Sequence, residues 1–334
     1  MKKAYLKGIS YYLPAKVVTN SDLMRDFPEW SVEKVSSKIG ISERHIAADK
    51  ETSGDMAVKA AENLFLEYNI NPEEIDFVML CTQSPDYFLP TTACIIQDRL
   101  GIPVKSGAID FNLGCSGYIY GLALAKGLIV SDVAHNILLI TSETYSKFIH
   151  PSDKSNRTIF GDAAAATIVS DEGFAEIMNF SLGTDGKGAE KLIIKTGGLR
   201  NPEPLNDLKY DENNNPVSSD YLFMDGTEIL NFTLELVPEL VKDTLKINSL
   251  KMNDIDLFVF HQANKYILDF LRKKIKIPEE KFYLFMKNTG NTVSSTIPIA
   301  LIEAVKEKKI ISGCNVLLAG FGVGYSWAGT ILKF

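Results

Sequence analysis

The sequence predicts an α/β fold built as two copies of one unit. Three observations lead there. Short apolar runs lack the polar–apolar alternation of a half-buried strand, which marks strands buried on both faces. Amphipathic stretches with helical spacing separate those runs, the pattern of strands alternating with helices. The chain also repeats itself: "EEIDFVMLCTQSPD" (73–86) lies over "NDIDLFVFHQANK" (253–265) at an offset of 180, and "HNILLITSE" (135–143) over "CNVLLAGFG" (314–322) at an offset of 179.

Taken in order, buried strands are expected at 76–82, 107–111, 136–141, 256–260 and 315–319. Helices are expected at 54–68, 116–130, 228–246, 264–274 and 296–308. In each copy a polar helix end leads into Ile-Asp and then into an apolar run. The helical stretches "IYGLALAKGLI" and "ALIEAVKEKKI" occupy matching places in the two copies. Residues 196–221, rich in Gly, Pro, Asn and Asp, read as a loop or long insertion. The halves are expected to span 1–175 and 176–334. Back to back, they bring their strand-end loops to a shared centre, and the carboxyl ends of strands are where open α/β sheets build sites.

The bulk numbers narrow the partners. The chain has 334 residues, 46% hydrophobic and 23% charged, with a net charge of −7. That is ordinary globular composition, and the acidic balance disfavours nucleic acid and membrane surfaces as partners. The opening "MKKAYLKGISYYLPAKVV" is broken by Lys7, Gly8, Pro14 and Lys16, unlike the apolar core of a signal peptide. No run approaches the roughly 20 apolar residues of a membrane span. Cys81, Cys94, Cys115 and Cys314 are scattered, without the spacing of a disulfide framework or metal site. A reduced, cytoplasmic protein is expected.

Four motifs fall just after expected strands: Cys115 after 107–111, His261 after 256–260, Asn291 in "KNTGNTVSSTIP" before the helix at 296, and the glycine-rich "AGFGVGYSW" after 315–319. Singly, each has a plain reading as core, turn or cap. Together, at equivalent places in a duplicated fold, they supply a thiol, an imidazole, a carboxamide and exposed backbone N–H groups. A thiolate is the reactive form of cysteine, and a helix N-terminus favours it. Attack on a thioester makes an acyl-enzyme, and its tetrahedral oxyanion needs backbone donors. A neutral His and an Asn can both donate to a second carbonyl and stabilise an enolate.

Essentially the whole chain resembles the β-ketoacyl-[acyl carrier protein] synthase III family of the thiolase-like superfamily. The resemblance runs through "KIGISERHIA" (38–47), "PTTACIIQDRLGI" (90–102), "DFNLGCSGYIYGL" (110–122), "RTIFGDAAAATIV" (157–169), "HQAN" (261–264), "NTGNTVSSTIP" (288–298) and "GFGVGYSWAG" (320–329). It implies a thiolase-like five-layer αβαβα fold, a homodimer and a Cys115–His261–Asn291 triad needing no metal. It further implies acyl transfer from a coenzyme A thioester to Cys115, then decarboxylating condensation with malonyl-[acyl carrier protein]. The amides of Cys115 and Val323 would form the oxyanion hole, with valine standing where the family usually has Gly or Ala. Phe321 and Leu89 match acyl-pocket positions, Leu89 reaching the partner subunit's pocket. Trp30, Lys154, Arg157, Ile159, Gly226, Ala263 and Asn264 match or lie near coenzyme A contacts. Lys154 stands where an arginine often packs on the adenine, and lysine lacks the planar guanidinium for that stacking. Lys273 and Lys274, with Arg272, match a docking patch for an acidic acyl carrier protein.

Two other functions fit the same motifs. An acyltransferase on the same fold would pass the acyl group from Cys115 to a hydroxyl or amine, with His261 as general base. A non-catalytic partner subunit would be expected to have lost its nucleophile. "FGDAAAA" lacks the GK[ST] of a phosphate loop and reads as tight packing at the centre of the fold.

Overall fold

The structure is a computed structural model and describes residues 2–27, 31–212 and 214–334. Its frame is a nine-stranded sheet. The strands are β1 (Tyr5–Tyr12), β2 (Phe77–Cys81), β3 (Gly107–Phe111), β4 (Asn136–Glu143), β5 (Ala163–Ser170), β6 (Ala175–Thr184), β7 (Leu257–Phe260), β8 (Asn315–Gly322) and β9 (Ser326–Lys333). Their order across the sheet is β7-β8-β9-β6-β1-β5-β4-β2-β3. β2 pairs in parallel with β3 and β4, and β7 with β8. The other pairings are antiparallel. β1 joins the halves, pairing with β5 along its length and with β6 through Tyr5↔Glu176 and Leu6↔Ala175.

Six helices complete the layers: α1 (Ser53–Tyr68), α2 (Thr92–Arg99), α3 (Gly117–Val130), α4 (Gly226–Ile247), α5 (Lys265–Ile275) and α6 (Thr296–Lys306). α1 and α2 cover the outer face of the first half's strands, and α4 and α5 that of the second. α3 and α6 lie between the two sets of strands. The result is the five-layer αβαβα arrangement.

The unalternating apolar runs now have their physical cause. On β4, Ile137 and Leu139 face the central helices, while Leu138 and Ile140 face α1 and α2. On β8, Val316 and Leu318 face the centre, while Leu317 and Ala319 face α4 and α5. Both faces of these two strands are dry, so both need apolar side chains. The run at 107–111, expected to be buried as well, is instead the edge strand β3, with no buried position and Ile109 38% exposed. The duplication is structural too. Asp76 Oδ2 accepts from the N–H of Asn136 at 2.9 Å, and Asp256 Oδ2 from that of Asn315 at 2.8 Å. The Ile-Asp repeat is thus a side-chain clamp on the entry of the neighbouring strand, made once in each half.

The antiparallel strands are where sequence and structure part. β5, "AAAATIVS", is buried at every position, although alanine is a poor strand former. α1 on one face and the central helices on the other leave room for little more than methyl groups, so tertiary fit overrides propensity. The glycine-rich motif is strand through Gly322, and the chain turns only at residues 323–325. Among its described residues, the 196–221 segment is irregular apart from a Gly198–Asn201 bridge and a two-residue ladder, Lys209–Tyr210 with Pro216–Val217. Among the described residues, no helix is long and apolar enough to cross a membrane.

Candidate active site

Cys115 lies between the end of β3 and the start of α3, buried with 6% of its surface exposed. Two glycines allow the halves to close on it. A Cβ on Gly322 would stand 3.0 Å from both Cβ and Sγ of Cys115, and one on Gly114 would stand 2.6 Å from Cγ1 of Val323. The last residue of β8 therefore packs directly on the thiol of the other half. Gly322→Ala is expected to displace the sulfur and slow alkylation of Cys115 by about 10- to 100-fold. Stopped-flow thiol labelling of the two proteins measures this, and an unchanged rate would mean the contact does not position the sulfur.

Burial pushes the Cys115 thiol up to about 12. A charged Glu143 would add to this, but burial also holds the Glu143 carboxyl protonated well above the usual range, so desolvation is the main cause. The helix start was expected to favour a thiolate. Desolvation outweighs that field, and the resting residue is a thiol.

His261 follows β7 and is 3% exposed. Burial pulls its imidazole down to about 3, so the ring is neutral at physiological pH. Its Nδ1 lies 2.8 Å from Oγ1 of Thr296. That hydroxyl also lies 3.0 Å from the carbonyl of Val293, to which it donates. Phe321 stands edge-on to the imidazole, ring centroids 5.8 Å apart. Asn291 is fixed by its own backbone, which donates to Ile159 O at 2.9 Å and accepts from Gly161 at 3.0 Å. Its side-chain Oδ1 accepts from the N–H of Val293 at 2.9 Å. That bond commits the carbonyl end of the amide and leaves its NH₂ as donor.

Val293 is the junction of these groups. Its N–H holds Asn291, its carbonyl accepts from the threonine that meets His261, and its side chain packs in the apolar cluster around Cys115. It does so at φ 55°, a left-handed conformation that a β-branched residue rarely adopts. Such strain persists only where the surroundings over-determine it, which is typical of functional sites. The apolar cluster around the thiol includes Tyr145, Ile149, Phe160, Leu192 and Leu222.

The other candidates are placed as follows. Val323 begins the turn after β8, and its N–H donates to no group among the described residues. Leu89 is 82% exposed on the loop before α2, beside the equally exposed Phe88, and outside its own chain's apolar cluster. Trp30 lies outside the described residues. Arg157 is engaged by Asp26 at 2.8 Å and by Pro151 O, and its guanidinium covers the ring of Phe27. Lys154 opens the helix Lys154–Ile159, and Ile159 packs at the edge of the cluster around Cys115. Gly226 opens α4 with open space where a Cβ would stand. Ala263 donates from its backbone to His261 O at 3.0 Å, and Asn264 caps α5, its Oδ1 accepting from Ile267 N. Lys273 and Lys274 line a cavity of about 610 Å³ with Lys38, Lys265, Tyr266 and Phe270. Arg272 turns instead toward Ile277 O and Glu279, both at 3.4 Å.

Sequence reading missed Thr296, Val293, Tyr145 and Gln83. Gln83 stood within reach of it, because it lies just beyond the end of β2, as Cys115 lies beyond β3 and His261 beyond β7. Among the described residues, no group of three or more His, Cys, Asp or Glu side chains is arranged to hold a metal ion.

The duplicated five-layer fold, with a buried cysteine after a strand of the first half and the last residue of β8 in the second half packed on its thiol, is that of the thiolase-like condensing enzymes. The 3-oxoacyl-[acyl-carrier-protein] synthase III family matches residues 109–186, and its C-terminal part matches 245–334. A β-ketoacyl-[acyl-carrier-protein] synthase III of Clostridium perfringens is 37% identical over 334 residues, covering 100% of both chains. A crystal structure of a 3-oxoacyl-(acyl-carrier-protein) synthase III shares 48% identity at a TM-score of 0.97, covering 99% of this chain and 100% of that one. Another, of a 3-oxoacyl-(acyl-carrier protein) synthase from Burkholderia xenovorans, shares 36% at a TM-score of 0.91, covering 99% and 93%. The chain belongs to the 3-oxoacyl-[acyl-carrier-protein] synthase III family.

Proposed function

We propose that this protein condenses an acyl-coenzyme A with malonyl-[acyl carrier protein], with loss of CO2, to give a β-ketoacyl-[acyl carrier protein] that starts an acyl chain. The observation that carries the reading is Val293, around which an oriented amide donor, a neutral imidazole and the buried thiol are gathered. The half spanning 1–175 supplies Cys115, and the half spanning 176–334 supplies His261 and Asn291.

In the first step the sulfur of Cys115 attacks the thioester carbonyl. The N–H groups of Cys115 and Val323 receive the oxyanion, and coenzyme A leaves as a thiol with the proton that Cys115 gave up. In the second step the malonyl carboxylate departs as CO2. Its bonding electrons move into the remaining thioester as an enolate, held by the Nε2–H of His261 and the NH₂ of Asn291. The enolate carbon attacks the acyl-Cys115 carbonyl, and the tetrahedral adduct expels the Cys115 thiolate. A buried neutral imidazole and a neutral amide suit the enolate step, because both donate without a proton having to move first.

Thr296 governs which nitrogen of His261 carries the proton. A hydroxyl has one hydrogen. When it goes to Val293 O, Nδ1–H donates to Thr296 and Nε2 is bare, able to accept the proton of Cys115. When it turns to Nδ1, Nε2 carries the hydrogen that the enolate needs. Thr296→Val is therefore expected to cut CO2 release by about 10- to 100-fold, and Thr296→Ser to restore most of it. Equal losses in both variants would reduce the residue to packing.

A homodimer fits the exposed edge of β3, where Ile109 is 38% exposed, and the exposed Tyr87, Phe88 and Leu89 on the neighbouring loop. Lys273 and Lys274 give an acidic carrier protein a basic surface. The test is mass measurement of the protein after incubation with acyl-coenzyme A, followed by malonyl-[acyl carrier protein]. The expected sequence is a gain equal to the acyl group, then its loss with release of CO2. Passage of the acyl group to a hydroxyl or amine without CO2 would establish the acyltransferase instead.

A further inference from the structure

We propose that the acyl pocket selects a short acyl chain bearing a hydroxyl or oxo oxygen near its thioester, held by Gln83 and Tyr145. This rests on Cys115 being the acyl acceptor. A cavity of about 250 Å³ is lined by Leu192, Leu222, Phe148 and Val323 and also by the polar side chains of Gln83, Asn112 and Tyr145. Tyr145, Leu192 and Leu222 also belong to the apolar cluster that contains Cys115, so the cavity shares its walls with the surroundings of the thiol. Of the polar side chains, Gln83 reaches the residue before Cys115: its Oε1 lies 2.8 Å from where a Cβ would stand on Gly114.

The three side chains form a directed chain. The Tyr145 hydroxyl donates to Gln83 Oε1, and Gln83 Nε2 donates to Asn112 Oδ1 at 2.9 Å. A primary amide has two N–H groups, and a phenol that donates still has lone pairs to accept with. One N–H of Gln83 and the oxygen of Tyr145 therefore remain for a ligand: one donor and one acceptor, which a hydroxyl satisfies together and an oxo oxygen satisfies in half. Both groups are held in place. The backbone N–H of Gln83 donates to the buried Glu143 carboxyl at 3.0 Å. The Tyr145 ring lies between Phe148 and Phe160, with centroids 6.1 and 5.4 Å away. A plain alkyl chain entering this space strips water from the amide and phenol and returns nothing, and sites with buried polar groups reject the analogue that lacks the matching oxygen.

Initial rates of Cys115 acylation by 3-hydroxybutyryl-coenzyme A and by butyryl-coenzyme A, read by intact mass, test this in wild type, Gln83→Leu and Tyr145→Phe. The expected result is about a 10- to 100-fold preference for the hydroxyacyl donor in wild type. Gln83→Leu should collapse that preference by raising butyryl loading, and Tyr145→Phe should weaken it. Equal or faster butyryl loading in wild type, or a preference unmoved in both variants, overturns the proposal while leaving the condensing-enzyme reading intact. Failure of Cys115 to accept either group, from coenzyme A or from carrier protein, would instead remove the acyl-enzyme on which both depend.

Discussion

Cys115→Ala is expected to abolish the acyl-enzyme and to lower condensation by a factor on the order of 10⁴ or more, because the acyl group loses its acceptor. The substitution should spare part of the decarboxylation. The proposed enolate donors, His261 and Asn291, both lie in the segment between β7 and α6, and their side chains bond to Thr296 and to the N–H of Val293 and not to the thiol. CO2 release from malonyl-[acyl carrier protein] should therefore persist in the variant without β-ketoacyl product. The wild-type thiol makes a second, pH-dependent test. Burial sets Cys115 at about 12 and His261 at about 3, so neither group changes charge near neutrality. Below its pKa the thiolate fraction grows about tenfold per pH unit. Alkylation by iodoacetamide should climb steadily between roughly pH 6 and 9, without the plateau of a thiolate–imidazolium pair. A plateau near neutrality would mean that the pair forms and that burial does not dominate.

This contrast shows what a sequence can and cannot convey about such a site. That His261 stands at a strand end was readable, because β7 is buried at every position and announces itself by an unbroken apolar run that the chain leaves at a definite residue. Cys115 instead follows the edge strand β3, and Asn291 lies in the turn before α6. The duplication was readable because Asp76 and Asp256 make the same clamp in each half. The pKa of Cys115 was not. It depends on how closely Gly322 and Val293 close over the sulfur, contacts from residues roughly 180 to 200 positions away. β5 was missed because four alanines carry no strand preference of their own, and only the helices on both of its faces make them a strand. Thr296 and Tyr145 were invisible for a further reason. Both sit where sequence expects ordinary packing, and their importance is a matter of which atom each hydroxyl meets.

Asn291→Ala should give the mirror image of the cysteine variant: normal acylation by acyl-coenzyme A, but a loss of about 10²–10³-fold in CO2 release and condensation. The size follows from removing one of two side-chain donors to the enolate in a site with little water. The aspartate variant sharpens the argument. Asn291→Asp keeps the oxygen that accepts from Val293 N at 2.9 Å, so the loop and its strained residue need not move. It replaces the NH₂ by a second oxygen, which turns the donor facing the enolate into an acceptor carrying like charge. If Asn291 acts by donating, the aspartate variant should be at least as slow as the alanine one despite its nearly identical shape. If Asn291 merely holds the loop, the aspartate variant should retain most of the activity. Burst acylation measured beside CO2 release in the same preparations separates these outcomes, since a misfolded site would lose both steps together.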